Sequence, residues 1–233
     1  MCFSPEADLI GGSVIVAIGV DSLLHVERRR NYIPIAALPV IFGFHQLVES
    51  VVWFGLQGHV GHTLTHVATA VYLAIAMVFL PIYVPIAVLL IEPLKKRRYM
   101  TIPFCLIGIF VGVILAVSMV SGKYGATAEP YHVAYHLGIK DSLPLVLSYV
   151  VAVCGALLMS GQKNVIIFGV INIIAVAVIA KLTVDGFASV WCGWAAITSA
   201  AIALHVRISS GRYERNQEAT PPDQYSLDGG HHF

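Results

Sequence analysis

The side chains best suited to chemistry lie in an apolar stretch between Phe42 and Trp53. It holds an imidazole, an amide and a carboxylate, at His45, Gln46 and Glu49. In a helix, His45 and Glu49 share one face at i, i+4, and Trp53 follows Glu49 by four residues. At mid-depth in lipid such a group costs about 2.5–3.5 kcal/mol, so it indicates a functional site. We expect His45 to be a satisfied buried polar group.

Glu49 allows two interpretations, which carry equal weight. As a neutral acid, hydrogen-bonded to a neighbouring helix, it would hold the helices together, and Gln46 could do the same. Beside an imidazole and an amide, it could instead be a proton carrier, a general base or a metal ligand. Both remain open from the sequence.

Cys2 and Cys192 allow three interpretations. They are two unconnected small residues, or the two halves of a disulfide formed on an oxidising side of the membrane. The third alternative makes them soft ligands of a divalent metal such as zinc, beside Glu49 or a histidine. Cys105 and Cys154 lie in the middle of apolar runs and are expected to be small buried hydrophobic residues.

A polar segment between two apolar ones has its own histidine pair. Pro130 is suited to open a short helix and Gly138 to close it. On such a helix Glu129, His132 and His136 fall on one face, at i, i+3 and i+7. Two imidazoles one turn apart are suitable zinc ligands. The alternative is a pair of interfacial histidines that face water.

Composition determines the setting of these residues. The chain has 233 residues, of which 58% are hydrophobic and 12% charged, and its mean hydropathy is +0.80. A soluble domain is about half apolar and about a quarter charged, so this chain needs a lipid bilayer to cover its apolar surface. The formal net charge of +1 gives no argument for nucleic acid as a partner.

Seven apolar segments predict an all-α fold, a bundle of seven transmembrane helices in residues 1–208, followed by a disordered polar tail over 209–233. The segments are Leu9–Leu24, Ile33–Leu56, Leu64–Ile91, Ile102–Val120, Leu143–Met159, Val165–Ala180 and Phe187–Val206.

Local signals refine these segments. Ser4 before Pro5 predicts a capped helix start. The third segment is long enough to require a tilt or a kink, which Pro81 could supply. Gly108 and Gly112 form a small-xxx-small pair that favours close helix contact.

Charge sets the orientation of the bundle. One side of the predicted membrane carries Arg28, Arg29, Arg30, Lys95, Lys96, Arg97, Arg98, Lys163, Arg207, Arg212 and Arg215. The other side carries only Lys123, Lys140 and Lys181. The positive-inside rule then predicts a cytoplasmic C-terminus and an outer N-terminus, in an inner (plasma) membrane. On this orientation the potential ligands gather in the outer half of the bundle.

The chain resembles a family of bacterial multi-pass membrane proteins of uncharacterised function. The resemblance lies in the initial Met1-Cys2-Phe3-Ser4, in Gln46-x-x-Glu49-x-x-x-Trp53, in Glu92 before a basic cluster and in Ser189-Val190-Trp191-Cys192. It implies that Cys2, Gln46, Glu49, Trp53, Trp191 and Cys192 belong to one set. Family members often carry glutamine at the position of His45, which argues against His45 as an essential ligand. The family supplies no activity.

Two hypotheses of function follow from the sequence. The first is a membrane-embedded hydrolase that acts on a lipid-like substrate and uses a metal in the outer half, with Glu49 as the catalytic candidate. The second is a non-enzymatic sensor, or a scaffold subunit of a membrane complex, whose polar groups are interhelical hydrogen bonds. A homo-oligomer fits either hypothesis. A transporter is disfavoured because no internal repeat or broken-helix pair is visible.

Overall fold

A computed structural model gives the architecture for residues 4–26, 30–122, 124–130, 132–138 and 143–182, together with Trp194 and Thr198. Helices dominate these ranges. In chain order the elements are α1 (Pro5–Leu24), a 3₁₀ turn (Arg30–Tyr32), α2 (Ile33–Ala36), α3 (Leu38–Leu56), α4 (His62–Leu73), a π-helical segment (Ala74–Phe79), α5 (Leu80–Ile91), α6 (Lys95–Val120), β1 (Tyr124–Ala128), β2 (Val133–Leu137), α7 (Leu143–Met159) and α8 (Lys163–Leu182).

The first helix begins where its cap predicts. The Ser4 hydroxyl accepts a hydrogen bond from the backbone N–H of Ala7 at 3.2 Å, and Pro5 occupies the first turn. Its buried residues recur every three or four positions, so one narrow stripe faces the bundle. These residues are Pro5, Asp8, Gly12, Ile15, Gly19 and Ser22.

Glycines bring α1 and α3 together as antiparallel neighbours. A Cβ atom added to Gly12 would lie 2.9 Å from the carbonyl oxygen of Gly43, and one added to Gly43 would lie 2.6 Å from the backbone nitrogen of Val16. Gly19 meets Val40 farther along. Rising numbers on α1 thus match falling numbers on α3, and the two backbones touch because neither glycine has a side chain.

The third apolar segment is one 30-residue span, His62–Ile91, with an irregular middle. The π-helical segment lies just before Pro81, and Pro85 lies inside α5. Pro85 has no N–H to bond the Pro81 carbonyl, so that carbonyl is left without its helical donor. Gly108 of α6 packs directly against it. The close helix contact predicted from Gly108 and Gly112 is therefore confirmed.

The main core lies where α1, α3, α5, α7 and α8 meet. Its buried members include Ile15, Phe42, Val84, Val88, Leu157 and Val165. At the end of the bundle where α3 ends and α4 begins, the β1–β2 hairpin packs on these two helices. We call this the hairpin end, and we call the opposite end, where α5 ends, the Glu92 end.

The prediction of a helix between Pro130 and Gly138 is wrong. Tyr124–Ala128 and Val133–Leu137 pair instead as antiparallel strands, with Tyr124 opposite Leu137 and Ala128 opposite Val133. Val133 is fully buried against the bundle. Burial of this β-branched side chain beneath the hairpin outweighs the helix-capping signals, since strand preference depends mainly on packing.

Four helical spans in the described ranges are long and apolar enough to cross a membrane: Pro5–Leu24, Arg30–Leu56, His62–Ile91 and Lys95–Val120. The last of these starts earlier than expected, because the basic run from Lys95 is already helical. α7 and the apolar part of α8 are shorter. Of the seventh predicted segment, the structure describes only Trp194 and Thr198.

Candidate polar site at the hairpin end

Three polar side chains meet the α1–α3 contact near the hairpin end. Asp8, Gln46 and Glu49 each have no exposed surface. Gln46 lies beside Gly11, where an added Cβ would be 3.5 Å from its Oε1 atom. Asp8 precedes Gly11 by three residues, and Glu49 follows Gln46 by three residues. Because α1 and α3 are antiparallel, both acids lie about 4.5 Å from the Gly11–Gln46 contact, toward the hairpin end. The two carboxyl groups therefore lie at one level of the bundle.

Asp8 was missed as a site residue in the sequence. An acid in the first turn of a helix is favourable by itself, because it interacts with the positive end of the helix dipole, and it usually faces water. The available signal was the spacing of Asp8 with Gly12, Ile15 and Gly19, which places it on the stripe that packs against α3.

Four side-chain atoms in this part of the bundle are buried and lack a hydrogen-bond partner among the described residues. Both carboxyl oxygens of Asp8 are in this state, as are Nε1 of Trp53 and Nε2 of His132. Trp53 is only 5% exposed and packs with Val52 and Val133. Buried polar atoms are nearly always paired, so an orphaned acid is a reason to look for a ligand or a proton.

His45 belongs to a separate aromatic stack. Its ring lies on Tyr72 with centroids 3.9 Å apart, and Tyr72 lies on Tyr135 with centroids 4.1 Å apart and planes 9° apart. His45 Nε2 is also 3.3 Å from the carbonyl oxygen of Tyr72. The stack joins α3, α4 and β2, and the His45 imidazole packs within it.

In the π-helical segment, one carbonyl group accepts a hydrogen bond from a neighbouring helix. The hydroxyl of Tyr149 in α7 donates to the carbonyl oxygen of Ala76 at 2.8 Å. Segments of this kind open the regular i→i−4 pattern and are frequent near functional sites. Here the visible effect is a polar link between the third span and α7.

The two hairpin histidines do not lie on one helix face, because this segment is not helical. His136 is exposed, with Nε2 3.1 Å from the Thr127 hydroxyl, and His132 precedes the same strand. Four residues of extended chain span about 13 Å, whereas four residues of helix span about 6 Å, so the backbone separates the two histidines more than the predicted helix would have done. In the described ranges no three His, Cys, Asp or Glu residues are grouped as a metal site. Cys2, Trp191 and Cys192 lie outside those ranges.

A second polar cluster lies at the Glu92 end. Glu92 is 3% exposed, and its Oε2 accepts the backbone N–H of Gly161 at 2.6 Å and the Ser160 hydroxyl at 3.4 Å. Arg97 donates to the carbonyl oxygens of Ser160 at 2.9 Å and Met159 at 3.4 Å. Glu92 therefore accepts hydrogen bonds from the turn between α7 and α8, while Arg97 donates hydrogen bonds to the carbonyl groups at the C-terminal end of α7.

Gln162 extends this cluster to two further elements. Its side-chain nitrogen donates to the carbonyl oxygen of Ile91 at 3.1 Å, and the Tyr32 hydroxyl donates to its Oε1 at 3.2 Å. The Glu92 end is thus a set of paired groups that fastens the helix ends, whereas the hairpin end contains the orphaned acid.

Together these features define a class: a mostly helical protein whose described residues include four helices long and apolar enough to cross a membrane, with buried acids between α1 and α3. The chain belongs to the family of unknown function DUF6629, whose family model matches residues 1–219. No curated protein and no solved structure matched the chain.

Proposed function

We propose that the chain is an integral membrane protein that binds a divalent metal ion through Asp8, Gln46 and Glu49, near the outer side of the membrane. The observation that carries this proposal is Asp8, a fully buried acid with no hydrogen-bond partner for either oxygen among the described residues. A cation at the shared level of Asp8 and Glu49 would supply that partner and would offset the repulsion between two carboxylates.

The donor set favours a hard cation. Two carboxylates and a side-chain amide offer oxygen, which suits magnesium, calcium or manganese. A thiolate from Cys2 or Cys192 would shift the preference toward zinc, the metal expected from the sequence. The identity of the metal that the protein retains therefore indicates whether Cys2 or Cys192 is a ligand.

The hydrolase hypothesis builds on this site. A bound divalent ion lowers the pKa of a bound water, which makes hydrolysis of an ester or amide feasible at neutral pH. In this role Glu49 would be the general base, and Gln46 would orient the reacting group. The apolar surroundings would select a lipid-like substrate.

The test is metal analysis of the full-length protein in lipid nanodiscs after exposure to a mixture of magnesium, calcium, manganese and zinc. We expect the parent to retain metal, and Asp8→Asn and Glu49→Gln each to lower retention by about tenfold or more, since loss of even an outer-shell partner costs about 10–100-fold.

Asp21→Asn is the matched control in the same helix. Asp21 lies at the other end of α1, is 44% exposed and lies 3.5 Å from His25, so its variant should retain as much metal as the parent. A metal-free parent whose fold is unaffected by either site variant would contradict the metal proposal.

The alternative is a sensor or scaffold subunit, and the hairpin favours it. Val133 of the hairpin packs with Trp53 of α3, and the Tyr135 ring stacks on Tyr72 of α4. A ligand that binds the hairpin outside the membrane could therefore act on α3. This alternative expects Glu49→Gln to leave stability nearly unchanged and the chain to co-purify with a partner or with a second copy of itself.

The seven-span arrangement belongs to the same proposal. α7 and α8 would supply two spans and residues 187–206 the seventh, with the hairpin end outside. The apolar composition of these segments and the excess of basic residues at the Glu92 end support it.

A further inference from the structure

Two histidines at the start of α4 form a pair. His62 and His66 are exposed and four residues apart on one helix face. Their rings are nearly parallel, with an angle of 22° and centroids 6.4 Å apart. Side chains at i, i+4 on a helix are neighbours, so a small rotation about exposed side-chain bonds brings both imidazoles to one metal.

Tyr124 supplies the orienting contact that metal-binding histidines usually have. Its hydroxyl is 3.2 Å from Nδ1 of His66, and the two rings are 4.8 Å apart. When Nδ1–H donates to the hydroxyl oxygen, Nε2 of His66 keeps its lone pair for a metal. Because Tyr124 begins β1, this contact also links the metal-binding face of α4 to the hairpin.

We propose that His62 and His66 bind a transition-metal ion, such as zinc, copper or nickel, at the surface of the hairpin end. Imidazole nitrogen suits these metals, and water fills the remaining positions. The site is distinct from the buried acids, which offer oxygen ligands between α1 and α3. It holds a metal reversibly, because only two ligands come from the protein.

The sequence contains a natural comparison for this pair. His132 and His136 have the same HxxxH spacing, but His136 lies in β2 and His132 immediately precedes that strand, and four residues of extended chain span about 13 Å. Equal spacing therefore produces a chelating pair in α4 and a separated pair in the hairpin. The secondary structure alone makes the difference.

The experiment is calorimetric titration of the full-length protein in nanodiscs with nickel at pH 7.5. His231 and His232 are replaced by alanine in every sample, so that the adjacent histidines near the C-terminus do not contribute. We expect His62→Ala or His66→Ala to weaken nickel binding by about tenfold or more, and Tyr124→Phe to weaken it by about tenfold.

Two controls make the outcome decisive. The His132→Ala, His136→Ala double variant should bind nickel as the parent does, and so should the Asp8→Asn, Glu49→Gln double variant, which removes the buried acids.

Equal nickel affinity in the parent and in the His62→Ala, His66→Ala double variant would overturn this proposal. Loss of nickel binding in the hairpin variant alone would also overturn it. Neither result bears on the buried acids, which are tested separately by the metal retained in Asp8→Asn and Glu49→Gln.

Discussion

Asp8 and Glu92 are both buried acids, yet their surroundings differ. Glu92 accepts two hydrogen bonds from the α7–α8 turn, whereas Asp8 has no such donor among the described residues. Satisfied acids hold structure together, and an unsatisfied acid needs a ligand or a proton. This contrast is the reason for placing function at the hairpin end.

Removal of the Glu92 carboxylate should destabilise the bundle. We expect Glu92→Ala to lower the free energy of unfolding by about 2–3 kcal/mol, since hydrogen bonds to a charged group contribute about 1.5–3 kcal/mol. Glu92→Gln should lose less, because its amide oxygen can still accept from Gly161. Unfolding in mixed detergent and denaturant micelles measures both losses.

Glu129→Ala is the control for that measurement. Glu129 is exposed in the hairpin, and its backbone N–H donates to the carbonyl oxygen of His132 at 2.9 Å. A surface substitution of this kind changes stability by about 0.5 kcal/mol or less. Equal losses for Glu92→Ala and Glu129→Ala would contradict a fastening role for Glu92.

The contact between α1 and α3 depends on the absence of side chains. Gly43 touches Val16 and Gly12 backbone atoms, so the two helices hold Asp8, Gln46 and Glu49 at one level. A wider separation would move the carboxyl groups apart. The geometry of the candidate site is therefore a consequence of helix packing as much as of its polar residues.

Gly43→Ala should separate these helices. Its Cβ would meet the Val16 backbone nitrogen at 2.6 Å, so we expect a loss of about 1–3 kcal/mol in unfolding free energy, together with weaker metal retention. Gly125→Ala is the matched control, because nothing lies within 4 Å of its added Cβ. Similar losses in the two variants would refute the packing argument.

The molecule as a whole is proposed to lie with its hairpin end outside the cell. His59→Cys and Lys96→Cys place thiols at exposed positions of the two ends. In intact cells, a membrane-impermeant maleimide should label His59→Cys, and it should reach Lys96→Cys only after permeabilisation. The parent, with its four native cysteines, gives the background. The reverse pattern would invert the orientation.

Several features could be predicted from local sequence. Apolar length and composition identify the long helices, and the Ser4-Pro5 cap locates the start of α1. Gly108 and Gly112 correctly predict a close helix contact. Each of these signals acts within one segment or one helix face, so no knowledge of distant residues is required.

Other features required the packed structure. Pro130 and Gly138 are suited to helix ends and also to turns, and only the burial of Val133 beneath the hairpin favours strands. The same change of secondary structure separates His132 from His136. Local preference is weak compared with the free energy of burying an apolar side chain.

The sequence by itself predicted apolar helices of membrane-spanning length, of which the described residues contain four, and it identified Glu49 as a residue of interest. Only the tertiary structure brought Asp8 to the level of Glu49, because that depends on how α1 and α3 align through Gly12 and Gly43. The composition of a segment determines whether it is more stable in water or in lipid. Which side chains share a level is decided by contacts between residues far apart in the chain.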